Sequence, residues 1–187
     1  MRILEINIVI PNRIYAYLVD LVDQSNESEN KILYSAIMDF VNQNLVTFNS
    51  IMANKEVIVP DKTIKIPVDK KLSVSTGILD GITIELKDKK DLIRGDDDTI
   101  VKVMLGDKLY KKYVDIIKLT YYINTNTGIE FNWGNINEFT AILVINSLMN
   151  KFNELEKKEL KEEMDKELKK YGDVEIDKDI DVNNYRS

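Results

Sequence analysis

The sequence predicts a mainly α protein with a β-ribbon, in the α+β class, in which two copies of one strand–helix–helix unit are joined by a β-rich connector. Three observations predict this. Residues 4–10 and 99–105 alternate in polarity, with Leu4, Ile6, Ile8 and Ile10 apolar in the first run and Val101, Val103 and Leu105 in the second. Such a period of two residues marks a strand with one buried face. After each run comes a break (Pro11-Asn12-Arg13 or Gly106-Asp107-Lys108) and then apolar residues at helical spacing. The whole pattern recurs at an offset of 95 residues: Ile14 matches Leu109, Leu18 matches Tyr113, Leu21 matches Ile116 and Val22 matches Ile117, while Tyr15, Val19 and Asp20 keep their identity as Tyr110, Val114 and Asp115. A repeat of this kind restricts the architecture more than any single motif does.

In chain order, residues 1–50 form the first unit, with a strand over 3–10, a helix from about Asn12 to Gln24, a polar turn and a second helix. Ser28 and Asn30 are both good N-caps for that second helix. Its apolar residues Ile32, Leu33, Ala36, Ile37, Phe40 and Val41 make one wide buried stripe. Residues 51–98 change character, with Pro60, Pro67, the β-branched runs 57–59 and 64–66, a hairpin expected around Gly77 and Gly81, and a half-exposed strand in which Thr83, Glu85 and Lys87 alternate with Ile82, Ile84 and Leu86. Asp96-Asp97-Asp98 then reads as a solvated turn, because three consecutive acids cannot face one ion from a strand and the EF-hand spacing is absent.

Residues 99–155 restate the unit with an aromatic, Asn- and Gly-rich insertion at 121–134, including Phe131 and Trp133. A second long helix should start near Asn135 or Asn137, either of which can cap it. Residues 156–187 are expected to be a charged helical extension followed by a disordered acidic tail from Gly172.

Composition excludes whole classes of chemistry. Without Cys there is no disulfide, thiol nucleophile or thiolate metal site, and without His there is no imidazole base or ligand. Neither a Walker sequence nor GxGxxG is present, so no enzyme, catalytic residue, metal or cofactor is expected. No apolar stretch approaches the roughly 20 residues of a membrane span, and no signal-peptide pattern follows Met1, so the expected location is cytoplasmic. The net charge of −6 argues against a large phosphate-binding surface, but the acid is concentrated at 96–98 and beyond Glu154, leaving residues 99–152 net positive.

A lone strand of about seven residues cannot satisfy its own backbone, and an isolated ribbon is marginal. The simplest solution pairs the two strands with each other, within one chain or across a dimer, above a shared four-helix core. Glu5, Asn7 and Val9 then face outward with Ile100, Lys102 and Met104.

Here the chain resembles the ribbon-helix-helix DNA-binding proteins of the Arc and MetJ type. The resemblance rests on Ile6-Asn7-Ile8-Val9-Ile10-Pro11, on Ile14, Tyr15 and Leu18, and on Asn30, Ile32, Leu33, Ala36, Ile37 and Phe40, and it covers about residues 3–44. Residues 100–117 match the strand and first helix again, so the whole is similar to tandem versions among archaeal viral transcription regulators.

The resemblance implies a sequence-specific regulator or repressor that reads double-stranded DNA in the major groove, acting as a homo-oligomer that can cooperate along DNA, in the host cytoplasm if the source is viral. It implies base contacts from Glu5 (to cytosine N4), Asn7 (to adenine), Lys102 (to guanine, or else a phosphate) and Val9, Ile100 and Met104 (to thymine methyls). For Val9 and Met104, burial under the connector is an equal alternative. Phosphate contacts are implied at the second-helix starts, Ser28, Asn30, Asn135 and Asn137, and at Arg2, Arg13, Lys31, Lys108, Lys111 and Lys112. The competing reading is a protein-interaction module, antitoxin-like or a structural scaffold, that uses the acidic C-terminal helix.

Overall fold

The alternation at the two ends of the repeat resolves into one ribbon closed within a single chain. The computed structural model describes residues 2–67, 79 and 82–170. In order the elements are β1 (Ile3–Pro11), α1 (Asn12–Ser25), α2 (Glu29–Asn54), β2 (Glu56–Val59), β3 (Lys62–Lys65), a 3-10 turn (Lys89–Asp91), β4 (Asp98–Gly106), α3 (Asp107–Thr127) and α4 (Ile136–Lys170). The protein is therefore α+β, with four helices and two small antiparallel sheets among the described residues. The hairpin expected at Gly77 and Gly81 and the acidic tail from Gly172 lie outside the described residues.

β1 and β4 pair antiparallel with Asn7 opposite Lys102. An antiparallel pair has a local two-fold at its central row, and that row here joins Asn7 to Lys102, the residues that the repeat offset also matches. Ile6, Ile8, Ile10, Val101, Val103 and Leu105 turn inward and are fully or almost fully buried with Ile14, Leu18, Leu33, Ile37, Ile117, Val144 and Leu148. The ribbon is stable because its apolar face closes one layer of this core, which an isolated pair of strands lacks.

The two units are not copies in detail. α1 has 14 residues and ends on Asn26 in the left-handed region, whereas α3 has 21 and ends on Gly128 at φ 70°. The start of the stretch read as an insertion is thus the continuation of α3, and only 128–135 is a connecting loop. Its Phe131 and Trp133 join Tyr121, Phe139, Phe40 and Tyr113 in one run of ring contacts, with centroids 4.8–6.3 Å apart. The aromatic loop therefore fills the core between α2, α3 and α4.

Tyr113 occupies the place that Leu18 holds in the first unit and is fully buried, so its hydroxyl needs a partner. Thr140 Oγ1 supplies it at 2.9 Å. Burial pushes the Tyr113 phenol well above its ordinary value of 10.0, with the Thr140 hydrogen bond opposing only in part. A raised folded-state value gives stability that is complete below the unfolded value and is lost as pH rises from there through the folded-state value. Alkaline titration followed by tyrosinate absorbance should show one phenol that ionises only with unfolding, and Tyr113→Phe should remove that coupling.

Among the described residues of the connector, the regular β-structure before β4 is one hairpin. β2 and β3 form one hairpin at the far end of α3, where Tyr122 donates to the Lys65 carbonyl at 3.2 Å and the Lys62 ammonium reaches the Asn126 carbonyl. Residues 82–88 join no ladder. Their partners belong to the start of α4: Ile136 N–H donates to Glu85 O at 2.9 Å, and the Asn137 side chain pairs with Lys87. The expected alternation holds from Ile82 to Glu85, with Ile82 buried, Ile84 half-buried and Thr83 and Glu85 exposed, and reverses at the end, where Leu86 is exposed and Lys87 half-buried. It carried no information on what satisfies the backbone.

α4 runs 35 residues, about 52 Å at 1.5 Å per residue, and its second half carries mostly exposed charged residues. Tyr17 stacks on Phe152 with centroids 4.1 Å apart, fixing α1 against the middle of α4.

Candidate nucleic-acid interface

Period-two alternation places all six expected base-contact residues on the outward face of the ribbon. Glu5, Lys102 and Met104 are exposed, and Asn7, Val9 and Ile100 are half-buried. The rows across the ribbon are Glu5 with Met104, Asn7 with Lys102, and Val9 with Ile100. Glu5 gathers the polar centre: its carboxylate accepts from Asn7 Nδ2 at 3.2 Å and pairs with Lys102 Nζ at 3.7 Å. An exposed ion pair of this kind is worth about 0–1 kcal/mol, so an incoming hydrogen-bonding group can displace it at little cost.

At the start of α2, Ser28 Oγ accepts from Lys31 N–H at 3.2 Å and is the cap. Asn30 has another role. Its Oδ1 accepts from Met104 N–H at 2.9 Å and its Nδ2 donates to Met104 O at 3.5 Å, so the second helix of the first unit grips the strand of the second. Lys31 pairs with Glu27 at 2.8 Å, and that contact holds the Glu27 carboxyl below its ordinary value.

The start of α4 corrects the expected phosphate contacts Asn135 and Asn137, which are 5% and 2% exposed. Asn135 Oδ1 caps the helix by accepting from Glu138 N–H at 2.9 Å, while the Glu138 carboxylate accepts from Gly134 N–H at 2.6 Å. Asn137 donates to Asn7 O at 2.8 Å and to Lys87 O at 3.1 Å, and accepts from Lys87 N–H at 2.8 Å. With these amides so engaged and the connector laid across them, this helix end does not present the open anion site expected from the first unit.

The cations divide as well. Arg2, Arg13 and Lys108 are exposed at the ends of the ribbon or in the helix turns next to it. Lys111 pairs with Asp107 at 3.2 Å. Lys112 is not beside the ribbon: its ammonium lies 4.9 Å over the ring of Phe48, 20 residues into α2. That is about 28 Å along the helix from the α2 start, too far for a phosphate gripped there.

Connector residues Lys87, Leu92 and Ile93 share a cavity of about 120 Å³ with Val9, Asn135, Asn137, Glu138 and Ala141. Val9 is therefore partly covered by connector residues, whereas Met104 is 38% exposed. At the Asp96-Asp97-Asp98 turn the Asp98 carboxylate accepts from Gly95 N–H at 2.9 Å, and among the described residues no cluster of acids is placed to hold a metal ion. No described helix is long and apolar enough to cross a membrane.

The reciprocal grip of Asn30 and Asn137 was missed by sequence reading. The available signal was an Asn near each second-helix start, but the longer α3 and the longer loop put these two 107 residues apart, outside the 95-residue register. Compared with protein-family models, curated proteins and solved structures, the chain gives no match.

Proposed function

We propose that the chain is a tandem ribbon-helix-helix DNA-binding protein that acts as a sequence-specific transcriptional regulator, without catalysis or cofactor. The observation that carries this reading is the outward face of the ribbon, with Asn7 and Lys102 paired on its local two-fold. Two strands lie about 4.8 Å apart, and a major groove about 12 Å wide admits such a ribbon with its side chains against the base edges. The local two-fold also suits a duplex, whose strands are themselves related by dyads. Because the ribbon is closed within one chain, a second copy is not needed to build the reading surface. Association of several chains along DNA then serves occupancy rather than folding.

The α2 start, with Ser28 and Lys31, and the exposed Arg2, Arg13 and Lys108 supply the phosphate contacts in this reading. They are few. The slope of log K against log salt for a bound duplex should be shallow, about −2 to −4 for the same small number of phosphates neutralised. Fluorescence anisotropy of labelled duplex against salt measures it, and a slope near −10 would contradict so sparse a cation set.

Asn7→Ala should lose about 1–3 kcal/mol at its cognate base pair and relax preference there in a folded protein. Lys102→Ala should weaken binding too, with a smaller salt slope if its contact is a phosphate. If the wild-type chain retains no duplex in these titrations, or both variants bind unchanged, the ribbon does not read DNA and the interaction-module reading takes its place.

A further inference from the structure

The two ends of the outward face differ in chemistry. On one side of the central Asn7–Lys102 row stand Glu5 and Met104, with Glu5 bonded to both central residues. On the other side stand Val9 and Ile100, both half-buried, with no polar side chain between them. The local two-fold of the ribbon would place Ile100 where Glu5 is and Met104 where Val9 is, so a half-turn superposes unlike residues.

Connector residues add to this asymmetry at the Val9 end. Held at Lys87 by Asn137, the connector brings Leu92 and Ile93 to the same cavity that Val9 lines, and Ile93 is 90% exposed. At the opposite end Asn30 holds the Met104 backbone.

We propose, resting on the DNA-binding reading above, that one chain recognises a non-palindromic duplex with unlike halves. Under the Glu5 end the duplex presents hydrogen-bonding base edges, such as a cytosine N4 amine for the carboxylate, and under the Val9–Ile100 end it presents thymine methyls to an apolar patch extended by Ile93. The central row takes the base pair between them. The protein therefore has one orientation on its site, fixed by apolar contact at one end and by hydrogen bonds at the other.

The test is selection from a pool of random duplexes with the full chain, followed by thymine-to-uracil replacement in the selected sequence, on a duplex cut to bind one chain. Uracil lacks only the C5 methyl. Each replacement in one half should weaken binding about fourfold, the value of one buried methyl group, and replacements in the other half should change nothing. Val9→Ser should abolish the uracil effect, and Glu5→Gln should shift base preference in the opposite half alone. A selected one-chain site with identical halves, or a uracil effect that is equal in both halves or absent from both, overturns the proposal while leaving DNA binding in place. Failure of the chain to enrich or retain any duplex overturns the DNA-binding reading and this proposal with it.

Discussion

Ile8→Asp is expected to leave the chain unfolded at 25 °C and neutral pH, while Asn7→Ala, its neighbour on the opposite face, melts like the wild type. Ile8 is fully buried, and across the ribbon it pairs with the equally inward Val101. The substitution gives up about 2–3 kcal/mol of apolar burial and puts a carboxylate where no cation or donor replaces its water, at several kcal/mol more. A domain whose whole stability is about 5–15 kcal/mol does not survive both losses comfortably.

The sign of the pH dependence is also set. Burial raises the introduced carboxyl above its unfolded value near 4, so the damage grows as pH rises from about 4 and is least in acid, where both states are protonated. Circular dichroism during urea unfolding at pH 4 and pH 7 reads both effects. A cooperative transition at the wild-type midpoint at pH 7 would mean that the inward face of the ribbon is not packed against the helices.

Asn137→Ala has the second largest expected effect. It removes three hydrogen bonds at 2.8–3.1 Å and leaves the Lys87 N–H and C=O and the Asn7 C=O without this partner in a largely buried setting. At about 1 kcal/mol for each bond, the loss should be about 2–4 kcal/mol. Asn30→Ala, which removes one good bond and one long one at a more exposed place, should lose about 1 kcal/mol.

Hydrogen exchange separates the local effect from the global one. In Asn137→Ala the Lys87 amide should exchange much faster than amides of the ribbon ladder, since the connector is released before the core opens. Equal losses in the two variants, with Lys87 still protected, would show that the connector is held by something other than this side chain.

The elements that could be read from sequence are those whose causes are local. Period-two alternation gave both ribbon strands within one or two residues at each end, and Ser28 and Asn135 cap the second helices as their side-chain chemistry predicts. The orientation of Glu5, Asn7 and Lys102 follows from the same alternation, because a strand sends neighbouring side chains to opposite faces. The internal repeat also implied that two equivalent strands would need each other.

Distant partners decided the rest. Whether those strands met within one chain or between two depended on a connector whose path no periodicity describes. Asn137 read as a surface cap, yet its amide bonds to residues 50 and 130 positions away. Lys112 read as part of a basic edge, yet the packing of α3 on α2 turns it toward Phe48. The sequence by itself determined the α+β class, the faces of the strands and the residues exposed on the ribbon, since burial pattern and capping act within a few residues along the chain. Only the tertiary structure decided the intrachain pairing, the covering of the α4 start and the unlike ends of the ribbon, because these depend on hydrogen bonds and contacts between segments whose separation leaves no trace in local pattern.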